Sequence, residues 1–412
     1  MPLDRLTRVL GDQVAELERK GTAKGAEPVV DEVLPPADGR GPRVRLEGGD
    51  RLYIRMNSNS YLGMSLREQV VEAEEVAARR YGTGPGAVRF ISGTYASHVA
   101  LERGLAAFHG REEAMIFSSA YAAVLSTIVP LTTDRTVLIS DELNHNCIIN
   151  AMRLARPLDK AVYRHLDMKG LESALEAAAG RASRALVVTD GIFSMRGDHA
   201  PLDVIMEIAQ QFDDRFEENV VVVVDDSHGV GAFGRTGRGT EEYTNARTCD
   251  VLIATLGKAL GVNGGYVASN GQLIRFLRET SMMYIYSNPV TAAEASAALN
   301  ALEMLDSKQG LALLERLRAL TQRFEKGLVE LGFEVIAGEH PVVPLMVRDT
   351  ERTRALVRHL RENGVLATGL TYPVVPHGDE EIRFQVNADH SEADIDEVLN
   401  VLGRSAQEMH PR

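Results

Sequence analysis

The chain has 412 residues, more than a single hydrophobic core usually supports, so one large domain with a smaller companion is expected. Its 45 basic residues are outnumbered by 58 acidic ones, for a net charge of -13, and no basic block interrupts that excess, which argues against nucleic acid and anionic membrane as partners. Cys147 and Cys249 form no Cys-x-x-Cys pair, so neither a metal site nor a disulfide framework is suggested and both read as buried thiols.

The start, Met1 to Leu10, carries no apolar h-region, and no apolar run approaches membrane-spanning length, so a soluble, cytoplasmic protein is expected. Residues 1 to about 45 read as a leading helix and a loose linker, with a short strand pair within Arg43 to Met56. From Ala114 onward apolar strand candidates alternate with helix-length segments: Ala114 to Ser118, Thr136 to Ser140, Ala185 to Thr189, Val220 to Val224, Val251 to Leu256 and Gly265 to Ala268. That alternation predicts an α/β fold built of βαβ units on a mostly parallel sheet, whose strands are apolar because both faces are covered. After Pro289 two long helices are expected, about Thr291 to Asp306 and Leu311 to Leu331. Short strands at Pro344 to Val347, Val365 to Thr368 and Glu381 to Val386 then alternate with helices at Thr350 to Asn363 and Ser391 to Leu402, the last opened by a Ser391/Asp394 capping box. The division expected is 1–56 as N-terminal helix and linker, 57–290 as the large domain and 291–412 as the smaller α+β domain.

Four predicted strand ends carry polar groups that chemistry could use. Lys258 follows the strand Val251 to Leu256 and is flanked by Gly257, Gly261, Gly264 and Gly265, a clearance that suits a lysine meeting something flat and bulky; alone, an ordinary strand-to-loop turn explains it better. Asp225-Asp-Ser-His228 ends the most apolar strand, at the edge where open α/β sheets bind ligands. Thr189-Asp-Gly-Ile-Phe-Ser194 and Ser140-Asp-Glu-Leu-Asn-His145 end two more. A lysine for a Schiff base, a carboxylate for a pyridinium nitrogen and imidazoles against a ring are what pyridoxal phosphate needs. Gly229-Val-Gly-Ala-Phe-Gly234 satisfies a dinucleotide fingerprint, but Arg235 to Gly239 cannot open the helix that an NAD site requires.

These residues lie in longer motifs: Asn59-Ser-Tyr-Leu-Gly63, Val88-Arg-Phe-Ile-Ser-Gly-Thr94, Ser140-Asp-Glu-Leu-Asn-His145, Asp190-Gly-Ile-Phe-Ser-Met195, Val224-Asp-Asp-Ser-His-Gly-Val-Gly231, Thr255-Leu-Gly-Lys-Ala-Leu-Gly261 and Tyr372-Pro-Val-Val-Pro376. From about Asn57 onward the sequence resembles the α-oxoamine synthases among the fold-type I pyridoxal-phosphate enzymes. The resemblance implies a large domain with a mostly parallel seven-stranded sheet, a smaller C-terminal α+β domain, and a homodimer with its active site at the subunit interface. It further implies Lys258 as the Schiff-base lysine that also removes the Cα proton, Asp225 beside the pyridinium nitrogen, His228 and Ser194 at the phenolic oxygen, and His145 on the ring face. By the same resemblance the phosphate falls to Ala120 and Tyr121 backbone N–H groups, Thr255, and Ser287 and Asn288 of a second subunit, and the amino-acid carboxylate to Asn59 and Arg383. The implied activity is condensation of an amino acid, most simply glycine, with an acyl-CoA thioester, as a glycine C-acetyltransferase does. Members using another amino acid or a longer acyl-CoA are the alternative, followed by an aminotransferase or decarboxylase and a non-catalytic binding protein. Val88 is the hydrophobic variant at a position lining the substrate in relatives. Val124, Asn146 and Ser60 depart from the family's usual residues, and the stretch from Lys258 to the glycine pair is one residue short.

Overall fold

The computed structural model describes residues 3–409. Its central sheet has seven strands, in the order Glu113–Phe117, Gly265–Ser269, Val251–Thr255, Val220–Asp225, Arg184–Asp190, Thr136–Asp141 and Asp159–Tyr163. From Val251–Thr255 to Asp159–Tyr163 every neighbour is parallel, whereas Gly265–Ser269 runs antiparallel to both strands beside it. The valine run explains the middle of this sheet. Val222 and Val224 feed the core on one face, Val223 that on the other, and none has exposed surface. A strand buried on both faces must be apolar at every position.

Six strands were expected and found; Asp159–Tyr163 was not. It lies at the sheet edge with Asp159, Lys160 and Val162 exposed, so it offers no apolar run to read. The leading helix forms at Asp4–Arg19. The stretch expected to be a loose linker instead contains a strand, Val30–Leu34, antiparallel to Arg43–Leu46, which pairs in turn with Leu52–Arg55. The expected strand Val365 to Thr368 is divided between two sheets. Val365–Leu366 runs parallel to Leu52–Arg55, and Thr368–Leu370 pairs with Glu381–Gln385 in the antiparallel C-terminal sheet.

Long helices Ala292–Leu305 and Lys308–Glu330 link the smaller C-terminal domain to the large sheet. One apolar core spans both, from Ala254 and Tyr266 on the sheet through Ala298 and Leu317 on these helices to Phe384 and Val398. The final helix starts with the expected capping box: Asp394 N–H donates to Ser391 Oγ at 3.1 Å, and Ser391 N–H to Asp394 Oδ2 at 2.8 Å. Parallel strands all end on one edge, and that edge carries the site.

Candidate active site

Register places the strand-end groups side by side. Asp190 pairs directly with Asp225, and Asp225 with Ile253, two residues before Thr255. Over this edge lies a cavity lined by Ala120, Tyr121, His145, Cys147, Asp190, Ile192, Ser194, Asp225, Ser227, His228, Thr255 and Lys258. Eight of the twelve residues named from the sequence and the family resemblance line it. Asn59 stands behind, its Oδ1 3.4 Å from Tyr61 Oη. Arg383 approaches through Ser194, whose carbonyl accepts its Nη1–H at 3.0 Å. Ser287 and Asn288 lie beyond the short helix Met282–Ile285 and are not in the wall.

The glycines around Lys258 act differently from expectation. A Cβ on Gly261, whose φ is +71°, would stand 2.4 Å from Ser65 N, and one on Gly264 would meet Val290 at 2.8 Å. Their clearance admits the protein's own chain rather than a ligand. Gly265 does serve the site, because a Cβ there would lie 2.3 Å from Ala120 N. Ala120 opens the helix Ala120–Leu131, whose Ser119 cap accepts from Ala122 N–H. Among the described residues the N–H groups of Ala120 and Tyr121 have no partner, so they meet the cavity as a helix N-terminus suited to an anion.

At the other end of the cavity Asp225 Oδ1 accepts the Ser227 N–H at 3.1 Å, and the Cys147 thiol lies 3.6 Å from Oδ2. Asp190 accepts the His145 N–H at 2.8 Å. Burial, and then the charge of Asp225, holds the Asp190 carboxyl well above the usual carboxylate range. Two buried carboxyls in contact strands favour one charge over two. His145 Nδ1 accepts the Cys147 N–H at 3.3 Å, and burial lowers its pKa, which keeps the ring neutral. Burial also lowers the pKa of Lys258, against the opposing charges of Asp225 and Asp190. Its ammonium has no hydrogen bond or ion pair among the described residues, and Ser227 Oγ is buried without a partner in the same wall.

Asp226, next to Asp225, points away from this chemistry. Thr240 donates to it through N–H and Oγ1, both at 2.7 Å, and a Cβ on Gly191, Gly229 or Gly239 would come within about 2 Å of its oxygens. Burial pushes its pKa up to about 7. Gly229 of the dinucleotide-like run therefore makes room for a carboxylate, and the next helix in the chain is the short Thr240–Thr244 instead of a pyrophosphate-binding one. The three departures from the family pattern leave the cavity wall intact. Val124 is buried within its helix, Asn146 accepts hydrogen bonds from Tyr121 Oη and Asn150, and Ser60 accepts one from Ser58.

Residues 52–402 match the aminotransferase class I and II family. The chain belongs to it. It is 36% identical over 402 residues to the mitochondrial 2-amino-3-ketobutyrate coenzyme A ligase of Bos taurus, covering 97% of this chain and 92% of the relative. It is also 36% identical over 405 residues to the 8-amino-7-oxononanoate synthase of Geobacter sulfurreducens, covering 98% and 99%. Among solved structures the serine palmitoyltransferase of Sphingomonas wittichii superposes with a TM-score of 0.87 at 26% identity, covering 99% of this chain and 98% of that one. All three are α-oxoamine synthases, and this chain is one as well, a fold-type I enzyme whose cofactor is pyridoxal 5'-phosphate. The residues fit that group. The open helix N-terminus suits its phosphate, Asp225 its ring nitrogen, and an unpaired lysine its aldehyde.

Asp190, Cys147, Ser227, Tyr61 and His340 carry no role that the sequence alone assigns. Asp190 and Tyr61 stand inside motifs, but what each faces depends on register and packing. His340 has no local signal at all.

Proposed function

We propose that the chain condenses an amino acid, most simply glycine, with an acyl-CoA thioester, releasing CoA. The observation that carries this reading is the convergence of an unpaired Lys258 with Asp225, His145 and His228 on one cavity, with Arg383 beside it. Bound pyridoxal phosphate supplies an electron sink that makes a Cα–H bond acidic. The rest falls to the chain's own groups. Lys258, its pKa lowered by burial, has a larger share of free amine at neutral pH than a surface lysine, and its Nζ takes the Cα proton. Asp225 would balance a positive ring nitrogen, neutral His145 would lie against the ring, and Ser194 and His228 would serve its phenolic oxygen. Asn59 and Arg383 hold the amino-acid carboxylate. Arg383 donates to the Ser194 carbonyl through Nη1, and to Gln385 Oε1 through Nε at 2.8 Å and Nη2 at 3.1 Å once the Gln385 amide is oriented to satisfy its neighbours. Those bonds fix the fork while leaving N–H groups for a carboxylate.

The likeness to a 2-amino-3-ketobutyrate coenzyme A ligase and the hydrophobic Val88 favour glycine with a short acyl group. The equal identity to an 8-amino-7-oxononanoate synthase supports a second reading, with another small amino acid or a longer acyl chain. Either operates in a homodimer, with Ser287 and Asn288 of one copy completing the phosphate site of the other. Protein reconstituted with pyridoxal phosphate should release free CoA thiol from acetyl-CoA when glycine is present, and Lys258→Ala should reduce that rate by a factor of about 10² to 10⁴ or more. The panel extends to alanine, serine and long-chain acyl-CoA. No thioester-dependent CoA release with any of these amino acids overturns the proposal, and turnover dependent on a keto acid instead identifies an aminotransferase.

A further inference from the structure

His228 lines the cavity, but the groups that hold it lie behind the wall. Tyr61, with no exposed surface, places its Oη 2.7 Å from His228 Nδ1. His340, also buried, stands edge-on to the Tyr61 ring with centroids 5.4 Å apart, and its Nε2 lies 2.9 Å from the His228 carbonyl oxygen. The protons of His340 are set by its partners. Its Nδ1 accepts the Val342 N–H at 3.1 Å, so Nε2 carries the hydrogen given to His228 O. The His228 backbone is thereby pinned from one side and its ring from the other.

The proton on His228 itself is set by Tyr61. Burial, and then Lys258, His340, Arg383 and His145, hold the His228 pKa well below the ordinary histidine value, so the ring is neutral and has a single N–H. Burial likewise keeps the Tyr61 phenol protonated. Its one hydrogen has two acceptors in reach, His228 Nδ1 at 2.7 Å and Asn59 Oδ1 at 3.4 Å. The shorter contact is a full hydrogen bond, and the longer lies at the limit of one.

We propose that Tyr61 is a positioning residue for His228: its hydroxyl donates to Nδ1, which commits the imidazole proton to Nε2, the nitrogen that Tyr61 leaves free on a ring lining the cavity. The inference rests on the reading that this cavity holds pyridoxal phosphate, because a fixed N–H at that wall acts on the cofactor's phenolic oxygen. A donor of settled tautomer stabilises the ionised oxygen; a ring free to take either tautomer does so for part of the time. Tyr61 therefore tunes the cofactor without touching it.

The test is Tyr61→Phe, which keeps the ring that packs on His340 and removes the hydroxyl. In the holoenzyme the pH midpoint of the bound cofactor's visible absorption change should rise by about 0.5 unit or more, since a hydrogen bond to a charged oxygen is weakened. On a His228→Gln background the same change should add nothing, as expected for a residue that acts through another. Histidine-selective ¹⁵N spectra of the apo protein, assigned with His228→Gln, should show His228 protonated on Nε2 in the wild type and a mixture of tautomers in Tyr61→Phe. An unchanged midpoint, an additive shift on the Gln background, or wild-type His228 protonated on Nδ1 each overturns the proposal. If Tyr61→Phe does not fold, the wild-type tautomer alone decides. Failure to bind pyridoxal phosphate would sink the functional reading instead, and the apo spectra still test the tautomer.

Discussion

His165 stands between two carboxylates, with Nδ1 3.0 Å from Asp141 and Nε2 3.1 Å from Asp198. Both nitrogens must donate, which only the cation can do. Burial opposes the charge, but the hydrogen bonds to Asp141 and Asp198 outweigh it and push the pKa up to about 9. Because the folded value lies above the unfolded one, the stabilisation is fully present below about pH 6.5 and is lost as pH rises through about 9. His165→Gln should therefore cost on the order of 2 kcal/mol at pH 6, after allowance for solvent screening, and nearly nothing at pH 10. Urea midpoints of the two proteins across that range check it, and a gap that stays constant with pH would refute the linkage. Nothing in the sequence announced this pair of contacts: Asp141 ends a strand of the central sheet, and His165 and Asp198 reach it from two separate loops. Lys258, Asp225 and His145 were legible for the opposite reason. Each sits at the end of an apolar strand, so the strand pattern alone carried them to one edge.

Single elements were legible where burial is uniform and obscure where an edge or a partner decides. The valine run could be nothing but a central strand. Val30–Leu34, largely exposed, takes its structure from pairing with Arg43–Leu46, and the divided stretch from Val365 to Leu370 takes its structure from two partners, Leu52–Arg55 far away in sequence and the nearer Glu381–Gln385. The last helix shows a local signal and a distant one combined. Ser391 and Asp394 form the capping box that the sequence predicts, yet Asp394, fully buried, also accepts Gly41 N–H at 2.8 Å and an Arg43 N–H at 2.6 Å. One carboxylate thus starts the final helix and ties the N-terminal strands to it. Asp394→Ala should cost about 3 kcal/mol or more, well above the roughly 1 kcal/mol of a cap alone, because Arg43 loses its nearest carboxylate in a site where it is mostly buried and keeps only the more distant Glu397. Adding Arg43→Met should recover part of the loss, measured by denaturant midpoint; no recovery would show that the ion pair contributes little. The domain boundary near residue 290 remains our proposal, although Ala292–Leu305 packs closely on Glu68–Tyr81 and Ala96–Phe108.

At the scale of the molecule the phosphate end of the cavity and the exposed apolar surface bear on one question. Phe90 and Ile91 are 64% and 65% exposed, and Met282 and Tyr286 are 69% and 76% exposed. A buried node binds their two segments together. Glu102 takes a bidentate pair from Arg89 at 3.0 and 3.1 Å and another bond from Arg278, while both arginines lie over the Tyr284 ring. Fixing two apolar segments side by side with a buried ion network makes sense if a second copy covers them, and Ser287 and Asn288 come directly after the second segment. Dimerisation would then deliver these two polar groups to a partner's phosphate and bury the apolar side chains in one step. The pair Phe90→Asp and Ile91→Asp lies in an exposed turn away from the cavity wall, so each chain should still fold. Sedimentation should show the wild type as a dimer and the double variant shifted to monomer. The monomer should bind pyridoxal phosphate at least about tenfold more weakly, because an anion bonded to several N–H and O–H groups loses roughly 1.4 kcal/mol or more when two donors are withdrawn. A variant that is monomeric yet binds the cofactor with undiminished affinity would remove Ser287 and Asn288 from the site and leave the phosphate to Ala120, Tyr121 and Thr255 of a single chain.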